Sequence, residues 1–415
     1  MQDAFDVVVV GAGAAGLAAA ARLSRAALSV VVLEGQGRIG GRAHTLAARP
    51  DLPLDLGCGW LHSADRNPLA TLFARAGVAL DRTTPAWSRP EANQSLTPED
   101  QAAFASAMRD FEAALEQAAR AGQEGRAIAH LPPRATRWHP MLEAFSAYYN
   151  GASLSQVSVQ DYGAFSDTGV NWRAPDGYGA AICGLAPRSL IVPHCAVLSI
   201  DHEGSRLRLE TARGTITARA AVVTVSSALI AQEAIRIHPR LPAKVDAATG
   251  LPLGQAEKVF LRPSAPEVFP RESHRWGATD RAATGSYYLR PLGRPVIEAY
   301  FGGDHARALA AEGPGAATAF AIDELVACYG ADVRAQLQPL AETRWGADPW
   351  VLGAYSHALP GCAAARRALA EPVDGRLFFA GEATSTKSFS TAHGAWESGL
   401  RAADEALAAL GLRET

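Results

Sequence analysis

A glycine turn set between a buried strand and a helix, at the start of the chain, constrains this sequence more than anything else in it. Phe5 to Val10 is a short β-branched apolar run, the pattern of a strand buried on both faces. Gly11, Gly13 and Gly16 follow in GxGxxG spacing, Leu17 to Ala27 reads as an alanine-rich helix, and Ser29 to Glu34 reads as a second buried strand. The first glycine permits the tight turn, the second lets a pyrophosphate approach the backbone, and the third lets the helix pack on the strand. The helix N-terminus offers free N–H groups and a positive dipole to phosphates, and Ala15, in the turn before it, is a further cofactor-binding candidate. Glu34 ends the second strand 23 residues after Gly11, where a carboxylate accepts ribose hydroxyls and repels a 2′-phosphate. The unit is a dinucleotide-binding βαβ fold.

The rest of the chain sets the frame around it. A length of 415 residues implies two domains, and a net charge of −3 favours neither nucleic acid nor an acidic membrane surface as partner. No apolar run approaches the roughly 20 residues that span a bilayer. No signal peptide is expected before the first strand, so the expected location is cytoplasmic. The cysteines, Cys58, Cys183, Cys195, Cys328 and Cys362, are odd in number and never at CxxC spacing, so reduced thiols are expected, and no metal site. Thr97 can cap a helix begun by Pro98, with Phe104, Met108, Phe111 and Leu115 on its apolar face. From Ser189 to Ser226 the texture is β, with strands expected at 196–200, 206–210, 214–218 and 220–225. A further strand covers Gln255 to Arg262, and a hairpin joins 285–290 to 295–301 through Leu292 and Gly293. Ala316 to Tyr329 reads as a helix, Arg376 to Ala380 as a strand, and His393 to Leu410 as the last helix.

Several motifs together resemble the flavin-dependent amine oxidases, in that family's order and over nearly the whole chain. Glu34 with Gly40, Gly41 and Arg42 is similar to the ExxxxxGGR element of FAD-dependent oxidases, where glycine amides and a guanidinium reach the pyrophosphate. Leu377 to Thr384, containing Gly381 and Glu382, resembles the FFAGEAT motif. Thr391, His393, Gly394 and Ala395 open the last helix, whose N-terminus in that family faces the flavin pyrimidine ring. The segment from Asp55 to His62, with Gly57, Trp60 and Leu61, resembles the stretch under the isoalloxazine; Val197 falls where the backbone meets adenine.

The resemblance also implies chemistry. Gly254 to Phe260 resembles the strand whose lysine, here Lys258, holds a water against flavin N5; an exposed strand lysine is the alternative. Trp345, followed by Tyr355, resembles the segment that reaches the flavin's aromatic face, with Tyr355 one wall of an aromatic cage. The residue before it is Ala354 where covalent monoamine oxidases carry cysteine, so FAD is expected to be non-covalent. The second cage position is Thr391, as in the polyamine oxidase and demethylase branch, which implies half a cage. His62 resembles a pocket histidine, or is a structural one.

The fold expected is α/β. A Rossmann-like FAD-binding domain of amine oxidase type (1–80, 175–250 and 345–415) is interleaved with an α+β substrate-binding domain carrying a helical insertion (81–174 and 251–344). The expected activity is oxidation of a primary or secondary amine by hydride transfer to flavin N5, giving imine and hydrogen peroxide. Partners are the amine and molecular oxygen, in a monomer or homodimer. Alternatives are an L-amino acid oxidase with a pocket arginine, an isoprenoid desaturase, and a scaffold that binds without turnover.

Overall fold

The computed structural model describes residues 3–49 and 51–412. The ends of the outer expected segments, residues 1–2 and 413–415, lie outside the described residues. The first strand, Ala4–Val10, lies inside an eight-stranded sheet between Val30–Leu33 and Gly214–Val223, parallel to both. Val7, Val8 and Val9 are fully buried because both faces of the sheet are covered. Val7 and Val9 meet the first and last helices, while Phe5, Val8 and Val10 meet Val197, Ile200 and Leu209 from the antiparallel part of the same sheet.

Two sequence expectations change here. The strands expected at 214–218 and 220–225 are one strand, Gly214–Val223. Exposed Arg219 interrupts the apolar run where the strand changes partners, from antiparallel Leu207–Thr211 to parallel Leu377–Phe379. The first helix starts directly after Gly13 and spans Ala14–Leu23, so its first turn lies inside the glycine motif. It packs on the last helix, Ala392–Ala409, at a glycine: a Cβ on Gly399 would lie 2.0 Å from the Ala15 carbonyl oxygen.

The second sheet is antiparallel, in the order Ser273–Trp276, Ser286–Leu289, Ile297–Gly302, Ala256–Pro263, Leu337–Glu342. The hairpin expected through Leu292 and Gly293 joins its second and third strands. Side chains alternate across the sheet. Val259, Leu261, Tyr287, Ala299 and Phe301 are buried beneath the helices Gly303–Glu312 and Ala316–Tyr329. The opposite face therefore carries Lys258, Phe260, Ser286, Tyr288, Glu298 and Tyr300.

The helical region supplies a further wall. Thr97 caps Pro98–Arg120 by accepting the Asp100 amide at 3.1 Å, and Phe104, Phe111 and Leu115 are buried. A later helix, His139–Asn150, ends at Gly151 in the left-handed region (φ 64°). There the chain crosses the entry to the lysine strand: a Cβ on Gly254 would lie 2.4 Å from the Asn150 carbonyl oxygen. The Gly254 amide donates to the Tyr355 carbonyl, and the Gly254 carbonyl accepts the Ala354 amide, each at 2.8 Å. Only glycine allows three segments to meet this closely. The crossing brings Tyr148 and Tyr355 to Tyr300, the residue opposite Lys258 in the ladder.

Candidate active site

At the dinucleotide end the backbone conformation explains the glycines. Gly11 has φ 100°, and a Cβ on Gly16 would lie 1.9 Å from the Gly11 carbonyl oxygen. At Gly13 a Cβ would meet nothing nearer than 4.0 Å, so space is left above the backbone at the helix N-terminus. Gly40 and Gly41 follow as a second turn, with φ 100° and 57°; the Gly40 amide donates to the Ala12 carbonyl at 2.8 Å. Glu34 is buried at its strand end and accepts the Ala12 amide at 2.7 Å and the Gln36 amide at 2.8 Å. Its remaining lone pairs suit ribose hydroxyls.

Arg42 and Glu382 form one unit. Arg42 Nη1 donates to Glu382 Oε1 at 2.8 Å and to the Ala354 carbonyl at 2.7 Å, leaving its Nε and Nη2 hydrogens for an anion. Glu382 also accepts the Ser356 amide and hydroxyl and the Ser390 amide. Burial opposes its charge, but Arg42, the Ser356 hydroxyl and Arg366 outweigh burial and hold its pKa below the usual glutamate value. Its carboxylate thus organises the site from inside.

The remaining cofactor candidates gather from several segments. Gly57 has no room for a side chain, because a Cβ would lie 1.6 Å from the Arg42 carbonyl oxygen. Trp345 donates its indole N–H to the Leu56 carbonyl at 3.1 Å. Trp60 packs edge-on against Trp87 and Tyr288, with centroids 4.3 and 5.9 Å away. Leu61 is fully buried, and its backbone pairs with Trp172. Val197 lies in the strand Val197–Asp201, just past Cys195, whose amide donates to the Glu34 carbonyl. At the last helix, Thr391 is the N-cap: its hydroxyl accepts the Gly394 amide at 3.0 Å and donates to the Ser388 carbonyl. The Ala395 amide donates to the Thr391 carbonyl, and Gly394 is forced by contact with Ser388. His393 is buried, and burial, with His62 and Arg66 nearby, pushes its pKa down to about 4. His62 Nδ1 is 2.6 Å from Asn171 Oδ1; the Asn171 amide nitrogen bonds the Gly169 carbonyl, which fixes Oδ1 as acceptor and leaves His62 Nε2 unprotonated in the neutral ring.

Lys258 is buried on the site-facing side of its strand. Its Nζ donates to the Asp55 carbonyl at 2.9 Å and pairs with Glu298 at 2.7 Å. A Cβ on Gly59 would lie 3.3 Å from Nζ, so glycine here keeps this side of the ammonium uncrowded. An ammonium has three donors, so one remains for a water or ligand. Burial works against the charge, yet Glu298, Asp55 and Tyr300 hold the Lys258 pKa above its ordinary value.

Sequence reasoning missed the aromatic partners of Lys258. Tyr300 faces it directly across the ladder, with its hydroxyl 2.8 Å from that of Tyr355. Tyr355 also donates to the Tyr148 carbonyl. Tyr148 stacks on Trp276 at 5.7 Å and 13°. The wall expected as half a cage is therefore extended by Tyr300 and Tyr148. Nearby, Arg173 is ion-paired with both Asp81 and Glu272 and bonded to the Tyr288 hydroxyl. Among the described residues no group of three or more His, Cys, Asp or Glu side chains could hold a metal, and no helix is long and apolar enough to cross a membrane. All five cysteines are free.

Known proteins resemble this chain over nearly its whole length. The profile of the family described as flavin containing amine oxidoreductase matches residues 14–407. Polyamine oxidase 3 of Oryza sativa subsp. japonica is 30% identical over 451 residues, covering 96% of this chain and 88% of its own. Cyclohexylamine oxidase from Brevibacterium oxydans IH-35A superposes with a TM-score of 0.77 at 21% identity, over 99% of this chain and all of its own. Putrescine oxidase bound to putrescine superposes at 0.80 and 18% identity, over 98% and 99%. These two structures share the fold.

Proposed function

This chain belongs to the flavin containing amine oxidoreductases, and from that premise we propose that Lys258, Tyr300 and Tyr355 form its amine site, beside an FAD held without a covalent bond. The enzyme is an FAD-dependent amine oxidase. The residues present fit the cofactor: the open backbone at Gly13, the free donors of Arg42 and the lone pairs of Glu34 match pyrophosphate and ribose. Bound there, FAD would supply the two-electron acceptor for a hydride from the carbon beside the amine nitrogen, and the route of those electrons to oxygen, for an overall conversion to imine and hydrogen peroxide. Ala354 offers no thiol for a covalent link, and its carbonyl is fixed by Arg42. We assign Gly57, Trp60, Leu61, Val197, Trp345 and the 393–395 turn to the cofactor's surroundings, and His62 and Thr391 to the rim of the amine site.

The observation that carries the amine-site reading is the spare donor of a buried, protonated Lys258 next to the paired hydroxyls of Tyr300 and Tyr355. The tyrosine and tryptophan rings supply an apolar wall for a neutral amine, while the nearby cation disfavours an ammonium. An aliphatic amine is the substrate class we favour, since the relatives bear the names polyamine, putrescine and cyclohexylamine oxidase. An amino acid would need a free arginine for its carboxylate, and Arg173, the buried arginine of the pocket that Glu298 and Asp55 line, is taken by Asp81 and Glu272.

A peroxide-release screen over polyamines, cyclic amines, arylalkyl amines and L-amino acids tests the reading. Aliphatic amines should bleach the flavin anaerobically, at a rate that rises with pH as the amine loses its proton. Bleaching by L-amino acids alone would overturn it.

A further inference from the structure

Glu298 stands two residues before Tyr300, so both side chains leave the same face of the strand Ile297–Gly302. Across the ladder it opposes Phe260, one diagonal step from Lys258, and its Oε1 lies 2.7 Å from Lys258 Nζ. The two members of the pair differ in exposure: 9% of the Lys258 side chain is accessible, against 24% for Glu298. Glu298 also lines a pocket with Pro53, Asp55, Gly59, Phe260 and Arg173. The buried ammonium is therefore one hydrogen bond away from a carboxylate that meets solvent.

Most of the other charged and titratable groups around Lys258 are already committed, and burial pushes the pKa of the nearby Cys58 thiol up. The Asp55 carboxylate takes the Thr45 hydroxyl and the Tyr178 and Gly179 amides, and burial pushes its pKa up. The Tyr300 hydroxyl is bonded to Tyr355. Glu257 points to the other side of the strand, where it holds Thr343 and the Trp345 amide. Arg173 is neutralised by Asp81 and Glu272, and Arg294 lines the same pocket. Among the described residues Glu298 is the one carboxylate in ion-pair contact with Lys258.

We propose that Glu298 is a positioning residue for the oxidation: it fixes the Lys258 ammonium, keeps it protonated, and connects it to solvent through the pocket. The inference rests on the placing of Lys258 in the amine site. Overall the amine gives up two electrons and two protons, and oxygen takes them up as hydrogen peroxide, so protons must move at a buried site. Lys258 and Glu298 give them a path in which each group ends the cycle as it began. The sign of the effect is fixed by the balance at Lys258. Burial lowers a lysine pKa and an adjacent carboxylate raises it; Glu298 is the largest of the raising influences on Lys258, so removing its charge moves the balance toward burial.

The chain has three lysines, Lys244, Lys258 and Lys387, so 15N-lysine labelling of the holoenzyme can follow each ammonium by NMR, with Lys258→Met for assignment. In Glu298→Gln the Lys258 signal should titrate at least about one pH unit lower than in wild type, while Lys387 stays unmoved. Glu298→Asp, which keeps the charge and shortens the reach, should give a smaller shift and decides the matter if the amide variant does not fold. Stopped-flow reoxidation should lose rate at high pH by the same displacement. An unchanged Lys258 titration overturns the proposal. A shifted titration with an unshifted reoxidation profile would support the coupling of Glu298 to Lys258 and overturn the placing of Lys258 at the reacting atoms.

Discussion

Replacing Arg366 by methionine should destabilise the enzyme more than any change of a surface charge. Arg366 and Asp161 are 1% and 2% exposed, and their fork-to-fork pair has N···O distances of 2.6 and 2.8 Å. The guanidinium also donates to Ser356 Oγ at 2.9 Å and lies 3.7 Å above the Phe389 ring. Ser356 in turn donates to Glu382 at 2.7 Å, so the pair holds up the unit that orients Arg42. Methionine fills much of the volume but leaves Asp161 buried with only the Ala358 amide donating to it at the former pairing edge. Breaking one partner of such a pair costs about 3–5 kcal/mol, because the remaining charge keeps its desolvation penalty. Adding Asp161→Asn removes that charge and keeps an acceptor for the Ala358 amide, so the double variant should recover about half of the loss. Urea unfolding of the holoenzyme, followed by tryptophan and flavin fluorescence, measures all three proteins. A loss below about 1 kcal/mol in the single variant, or a double variant no more stable than the single, would refute the reasoning.

Three further outcomes are expected. Acid or heat should release free FAD from the yellow protein, because Ala354 cannot form a thioether; flavin retained in the denatured pellet would contradict this. Lys258→Met should keep a full FAD content, since the pyrophosphate is assigned to Gly11, Gly13 and Arg42, yet slow one half-reaction at least about tenfold, or about 1.4 kcal/mol; stopped-flow rates equal to wild type in both halves would reduce Lys258 to a strand residue. Burial lowers the pKa of His274 to about 3 and of His357 and His393 to about 4, from 6.5, so below pH 6.5 the unfolded chain binds protons that the folded one refuses. Stability should therefore fall as the pH drops from 6.5 toward about 4, by up to about 1.4 kcal/mol per pH unit for each histidine, and a urea midpoint equal at pH 6.5 and pH 5 would count against neutral, buried rings.

What could be read from the sequence was what the backbone itself demands. Gly11, Gly16 and Gly57 are glycines because positive φ or a carbonyl oxygen within 2.0 Å of a Cβ excludes every other residue. Such requirements are local and leave a mark in one place. Thr97 before Pro98 behaves the same way, since cap and helix are neighbours in the chain. Thr391 shows the limit of a resemblance. Threonine at the second cage position implied half a cage; its hydroxyl serves as the N-cap of the last helix, while other residues, Tyr300 and Tyr148, extend the wall.

Those other residues were hidden because their partnerships are set by register between strands that are not consecutive. Lys258 faces Tyr300 only because Ala256–Pro263 pairs with Ile297–Gly302, with the strands Ser273–Trp276 and Ser286–Leu289 intervening in the chain. A slip of one residue would turn Tyr300 and Glu298 into the helix-covered core and leave Lys258 opposite apolar side chains. The alternation of Ile297, Ala299 and Phe301 excludes that slip, since these three are fully buried under the helices. Burial on one face of the sheet thus fixes what Lys258 meets on the other. The chemistry of the amine site follows from an apolar pattern that the sequence displays, through a pairing that it does not.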